Sequence, residues 1–173
     1  MASWYMLTLV GKDQPGIVAK VTSALFEAGC NLGETSMIRL GENFTVMMLV
    51  QSDAGEAQLR KALEPVLKDL SLVLHVDPVQ AGLSQRPVPD VRILVHGADR
   101  TGIVSRVTSR AADAGLNILD LESVVGGSET DPIYILQIEG VAAQGVEAIK
   151  DALAPLQAEG VKVDVQPVET LIG

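Results

Sequence analysis

Apolar residues fall at Ile17, Val21, Leu25 and Ala28, with Lys20, Ser23 and Glu27 set between them. Steps of three or four residues place the first group on one stripe of a helix and the second group off it. The spacing therefore predicts an amphipathic helix from near Pro15 to Ala28. Gly29 follows as the left-handed residue that ends a helix. Before this helix, "YMLTLV" (5–10) is a short apolar strand. After it, "NLGETSMIRL" (31–40) and "FTVMMLV" (44–50) read as two strands folded into a hairpin at Gly41. A second helix is expected over about Glu56 to Lys68, burying Leu59, Ala62, Leu63, Val66 and Leu67. Pro65 has no N–H to donate and should kink or shorten its last turn. "LSLVLHV" (70–76) then closes the set as a strand.

The same order returns further along: "VRILVH", a helix from Gly102 to Ala114, "NILDLESVV", "IYILQI", a helix from about Ala143 to Ala158, and "VKVDVQPV". An offset of 86 lays "GKDQPGIVAKVTSALFEAGCNL" on "GADRTGIVSRVTSRAADAGLNI", with Gly11 on Gly97, and about half of the positions are identical. An offset of 90 then lays "KALEPVLKD" on "DALAPLQAE", so the second copy carries four more residues. They are expected in the turn "GGSETDP" (126–132), which replaces "LGEN" (40–43).

Strand, helix, strand, strand, helix, strand is the split βαβ, ferredoxin-like unit, an antiparallel sheet with both helices on one face. The expected class is α+β, with two such units packed against each other, because each sheet leaves a face and two edges needing cover. The units are placed at 1–79 and 90–173. The linker at 80–89 lies within a stretch rich in Pro, Gly, Ser and Gln.

Composition narrows the functional classes. The chain has 173 residues, 13 Lys and Arg against 22 Asp and Glu, and a formal charge of -9. A nucleic-acid surface normally needs clustered cations, so direct DNA or RNA binding is not expected. Cys30 is the one cysteine and has no internal partner, which suits the cytosol. No secretory leader pattern and no apolar run long enough for a membrane helix is seen, so the expected location is cytoplasmic.

The motifs "KDQPGIVAKVTSALFEAGCNL" and "ADRTGIVSRVTSRAADAGLNI" resemble the ACT domain, a small module that binds amino acids in many metabolic proteins. The resemblance takes in nearly the whole chain, as two domains. Free-standing tandem chains of this size are similar to the group of glycine cleavage system transcriptional repressors. That resemblance implies a sensor of glycine-type amino acids acting through a DNA-binding protein partner. ACT pairs also precede phosphoserine phosphatase and formyltetrahydrofolate deformylase domains, so the group is a narrower expectation than the domain.

The turn itself has suitable chemistry. An amino acid needs an acceptor for its ammonium and donors for its carboxylate. A helix start offers free N–H groups and partial positive charge. Gly16 and Gly102 let a ligand approach the backbone. Asp13 and Asp99 supply carboxylates, Gln14 and Arg100 flank them, and Asn31 and Asn117 each offer a donor and an acceptor. In this topology the first turn and the second strand's start lie at opposite ends of the first helix. If the two domains pack side by side about a pseudo-twofold, Asp13 and Gly16 are expected to face Asn117, and Asp99 and Gly102 to face Asn31, giving two quasi-equivalent sites. The copies differ: Pro15 suits the first helical position, whereas Thr101 is freer, and Gln14 is neutral where Arg100 is charged.

A second reading stays open for each residue. An Asp here can serve only as a helix-entry residue, and an Asn after Gly-x can simply finish a turn. His75 and His96 lack a partner at metal spacing, so no metal is expected. Cys30 reads as a small apolar residue, Met37, Met47 and Met48 as core or interface filling, and Arg106 and Arg110 as a solvated face. No P-loop, G-x-S-x-G or H-E-x-x-H occurs, and the two units use up the chain, so neither catalytic residues nor a cofactor are expected. The expected function is an amino-acid sensor, for glycine or serine, that regulates transcription through a protein partner. The alternatives are a regulatory subunit docking on a metabolic enzyme, or a ligand-free dimerisation scaffold. A free sheet edge offers a route to a homo-oligomer.

Overall fold

The computed structural model describes residues 3–80, 87–98, 102–128 and 131–168. The chain divides into two compact units, Met1–Ser84 and Gln85–Gly173. The first contains β1 (Ser3–Lys12), α1 (Ile17–Glu27), β2 (Asn31–Leu40), β3 (Asn43–Ser52), α2 (Glu56–Leu70) and β4 (Val73–Val79). The second repeats the order as β5 (Val91–Ala98), α3 (Ile103–Asp113), β6 (Leu116–Ser128), β7 (Asp131–Ala142), α4 (Val146–Ala158) and β8 (Lys162–Pro167). Each unit holds one four-stranded antiparallel sheet, ordered β2-β3-β1-β4 and β6-β7-β5-β8. Both units are the ferredoxin-like βαββαβ fold.

Alternation along the central strands decides which sheet face carries the helices. Tyr5, Leu7 and Leu9 of β1 are buried, as are Phe44, Val46, Met48 and Val50 of β3. Antiparallel partners share a face, so Leu7, paired with Met48 and Val76, puts three strands into one apolar layer. Ile17, Val21 and Leu25 from α1 and Leu59 and Leu63 from α2 close over it. In the second unit Ile93, Val95, Leu136 and Ile138 meet Val107, Ala111, Ile149, Leu153 and Leu156 in the same way. Each fully buried Leu or Ile is worth about 1.5–3 kcal/mol of transfer free energy.

The model departs from the sequence expectations at several positions. Pro15 does not open α1. Gly16 is the N-cap, with φ 88° and ψ 1°, and this left-handed residue separates Pro15 from the helix. Pro65 does not end α2, which continues to Leu70. Pro65 is exposed, so water can take up the carbonyl it leaves unbonded. Leu70, expected in a strand, is buried in the last turn of α2, and the strand begins only at Val73. Of the three methionines expected in core or interface, Met48 is in the core, and Met37 and Met47 are at the surface, which leaves the interface reading for those two untested. The four extra residues of the second copy do not enlarge a loop. Gly127 pairs with Pro132 and Ser128 with Asp131, so they lengthen both arms of the hairpin.

The two helices of each unit are tied at matching points. Lys20 Nζ lies 2.7 Å from Asp69, and Arg106 pairs with Glu159, which occupies the repeat-equivalent place. Arg106 is thus an inter-helix partner rather than merely part of a solvated face. Elsewhere on α2, the Lys68 ammonium bonds the Glu64 carboxyl and, by that hydrogen bond and its charge, holds it below the ordinary carboxylate value.

Two stability outcomes follow from this packing. Leu25→Ala empties a fully buried position of the first core and should cost about 2–5 kcal/mol, read as a lower urea midpoint. Gly140 of β7 has no room for a side chain, because a Cβ there would run into the backbone carbonyl of Asn117. Gly140→Ala should therefore cost at least about 3 kcal/mol by the same measurement, whereas Gly126→Ala, with only Ile133 O at 3.9 Å, should be mild.

Candidate functional site

The acidic turn of the first unit is assembled from four directions. β1 ends at Lys12, and the Asp13 N–H donates to the Glu42 carbonyl at 2.8 Å, hooking the turn to the tip of the β2–β3 hairpin. The Asp13 carboxylate accepts from Arg39 Nε at 2.8 Å. Gln14 Nε2 donates to the Leu70 carbonyl at 3.1 Å, capping the C-terminal end of α2. A Cβ on Gly11 would stand 2.5 Å from Leu72 Cδ2 and 3.3 Å from the Ser71 carbonyl, so the residue after the strand's apolar run has to be small. Gln14 and Gly11 thus bind the turn to the end of the other helix.

Beyond the turn, Gly16 adopts the left-handed conformation and its carbonyl accepts from the Lys20 N–H at 3.0 Å. No side chain caps α1. Asp13 therefore does not serve as a helix-entry cap. Its carboxylate is committed to Arg39, and the first N–H groups of α1 have no side-chain acceptor. A Cβ on Gly16 would meet nothing within 4 Å, so the space above the turn is open. The exposed turn presents an anionic group paired with a guanidinium, and the free amides of α1 begin four residues after Asp13. Those are the two charges, of opposite sign, that a zwitterion requires.

Arg39 escaped the sequence reading because it lies 26 residues from Asp13, outside the motif. The hairpin signal at Gly41 could have found it. Folding 31–40 back along 44–50 returns the end of β2 to the end of β1, and Arg39 pairs in register with Phe44, which pairs with Gly11.

The same register separates the other expected residues. Lys12 is level with Asn43, and Asn31 is level with Gln51. Eight residue steps along β3, from Asn43 to Gln51, separate these levels, about 27 Å at about 3.4 Å each. Asp13 and Asn31 thus sit at opposite ends of their own unit. Asn31 is exposed at the start of β2, and its Nδ2 donates to Gln51 Oε1 at 3.4 Å.

In the second unit, Gly102 repeats the left-handed N-cap, with φ 87° and no side-chain cap on α3. Asp99 and Arg100 lie outside the described residues. Val125 stands where the first copy has Arg39. Asn117 is exposed in β6, level with Val141, and its backbone fits against Gly140. The neighbouring Ala142 N–H donates to Asp90 at 2.8 Å.

His75 Nε2 lies 3.2 Å from Asp77 on β4, and Cys30 is buried. Among the described residues, no group of three His, Cys, Asp or Glu side chains could hold a metal, and no helix is long and apolar enough to cross a membrane.

Comparison with known proteins shows the family. The ACT domain model matches residues 5–77 and 91–166. The chain is 28% identical over 169 residues to the glycine cleavage system transcriptional repressor of Escherichia coli (strain K12), covering 91% of this chain and 87% of that one. It is 36% identical over 73 residues to a UPF0237 protein of Streptococcus pneumoniae, covering 41% of this chain and 83% of that protein. The crystal structure of an unknown protein from Galdieria sulphuraria shares the fold, with a TM-score of 0.79 at 24% identity, over 98% of this chain and 100% of that one. The chain belongs to the ACT domain family, as two ACT domains in tandem.

Proposed function

We propose that this protein is a non-catalytic amino-acid sensor that controls transcription of amino-acid metabolism, glycine metabolism in particular, through a protein partner. The observation that carries this reading is the similarity to the glycine cleavage system transcriptional repressor, which runs through both ACT domains. The excess of acidic residues, 22 against 13 basic, supports the indirect route, because a chain of net charge -9 is repelled by phosphate backbones. A partner that carries its own DNA-binding surface removes that conflict.

The ligand class is a small amino acid such as glycine or serine. At the first turn its ammonium is drawn to Asp13 and its carboxylate to Arg39 and the free amides that follow Gly16, with Gln14 holding the turn in place. Binding thus exchanges one ion pair for two charge-assisted contacts. In the second copy the sequence offers Asp99 and Arg100 ahead of Gly102, so the cation comes from within the turn instead of from the hairpin. Two turns with different cations should differ in affinity. Ligand and partner binding are then reciprocally coupled, each strengthening or weakening the other by the same factor.

Calorimetry and thermal denaturation test the reading. Glycine or serine at about 100 times its dissociation constant should stabilise the protein by about 2.7 kcal/mol. Arg39→Ala and Asp13→Asn should each weaken binding by about 10-fold or more, through loss of a charge-assisted contact. Asn117→Ala tests whether the second copy's Asn takes part in the same binding event. If no amino acid raises the unfolding midpoint, the sensor reading fails and a scaffold role takes its place. If lysate capture with glycine recovers a metabolic enzyme instead of a transcription factor, the protein is a regulatory subunit.

A further inference from the structure

The outer strands of the two sheets are not equally guarded. β2 and β6 each carry a register shift, at Leu32/Thr35 and Ile118/Asp120, and a bulge of this kind blunts an edge against further pairing. β4 and β8, on the other side of each sheet, run in unbroken register. In β8 the Val168 N–H donates to the Asp90 carbonyl at 2.8 Å, which fixes the phase of the ladder with β5. Val91 and Pro167 are then a non-hydrogen-bonded pair, and so, by alternation, are Ile93 with Val165 and Val95 with Val163. The N–H and C=O groups of Val163 and Val165 therefore turn away from β5, to the free edge. Gln157 Nε2 donates to the Val163 carbonyl at 2.9 Å. The Val163 N–H and both groups of Val165 have no partner among the described residues.

A cleft of about 370 Å³ lies between β8 and α4, within the range of about 300–1,000 Å³ that ligand clefts span. Gln157 lines it and reaches the outward Val163 carbonyl, so the cleft opens onto the free edge. Its apolar lining comes from Leu153, Val163 and Val165, and Ala154 stands where the first copy has the longer Glu64. The charged lining residues are Glu147, Lys150, Asp151 and Asp164. Lys150 bonds Glu147 at 2.7 Å, which leaves Asp151 and Asp164 without a basic partner among the described residues. Asp151 rises from the helix, and Asp164 alternates to the far face of β8, so a strand added at this edge meets one acid on each side. Lys162 stands outside the lining, at the start of β8. In the first copy the same places hold Ala57, Arg60, Lys61 and His75, with Arg60 bound to Glu56. The unanswered charge there has the opposite sign.

We infer that the free edge of β8, with the cleft beside α4, is a docking site for an extended basic segment of a protein partner, which joins the sheet as a further strand. A peptide backbone supplies donors and acceptors at the spacing the edge offers, and the cleft receives side chains from one face of the added strand. Lys or Arg side chains answer Asp151 and Asp164. A second copy of this chain does not suit this edge, since each carries -9 and would bring like charge to an acidic rim. The inference rests on the reading that the chain works through a protein partner, and it names the kind of segment that partner presents.

Fluorescence anisotropy with the full chain and a labelled hexapeptide of alternating Lys and Val tests it. Binding should saturate, and a peptide of alternating Glu and Val should not bind. Asp151→Lys and, separately, Asp164→Lys should each weaken binding at least about 10-fold with an unchanged circular dichroism spectrum. Lys61→Ala, at the place in the first copy equivalent to Asp151, should leave binding unchanged. Methylating every backbone nitrogen of the Lys-Val peptide keeps its charge but removes its donors, and should abolish binding. Absence of saturable binding by the Lys-Val peptide would overturn the inference, as would an affinity that survives both lysine variants. Equal binding of the methylated peptide, or of spermine, would overturn it too, because the cleft then takes cations and not a strand. Thermal denaturation with glycine reads the sensor function separately, so a negative result at this edge leaves that reading standing.

Discussion

The constraint on which everything else depends is the antiparallel pairing of β1 between β3 and β4, with both helices on one side. Leu7 faces Met48 and Val76 across these strands, and their shared direction decides where the core lies. Once Leu7 and Leu9 point to the helices, Met6, Thr8 and Val10 must point away, because successive side chains alternate. The same pairing places the end of β1 beside the hairpin tip. That brings the Asp13 N–H to Glu42 and its carboxylate to Arg39. It also puts Asn31 at the other end of the sheet. Core, turn and open face are consequences of one register.

That register also explains what the duplication preserved and what it released. The core positions, the left-handed glycines at the helix starts and the ion pair between the helices recur in both units, and the core positions are the ones on which closure of a single unit depends. The open face is not required for closure, and there the copies have separated at the centre, where the Met6–Leu49 pair of the first is the Arg92–Glu139 ion pair of the second. The hairpin lengthened for the same reason. Adding two pairs beyond Gly126 keeps every earlier partner in place.

Much of this architecture was legible in the sequence, and the reasons are local. The stripe of Ile17, Val21 and Leu25 and the alternation through "FTVMMLV" are short-range patterns that the core enforces directly. The range 31–40 for β2 is as expected because glycine turns bound it on both sides. What escaped were effects of tertiary neighbours. Leu70 joined a helix because the end of α2 is buried and capped by Gln14, 56 residues away. Arg39 is invisible as a site residue until the hairpin folds. The mixed composition of "NLGETSMIRL" does not reveal that its strand would be an edge, exposed along its whole length. Pro65 followed solvent exposure over propensity.

The central claim is that the uncapped start of α1, with Asp13 and Arg39 beside it, is where an amino acid is received. Hydrogen exchange of the backbone amides with and without glycine addresses it most directly. The account predicts slowed exchange at Ile17, Val18 and Ala19, the first amides after Gly16, when glycine is bound. Glycine binding that leaves these three amides unchanged and protects other segments instead would contradict it.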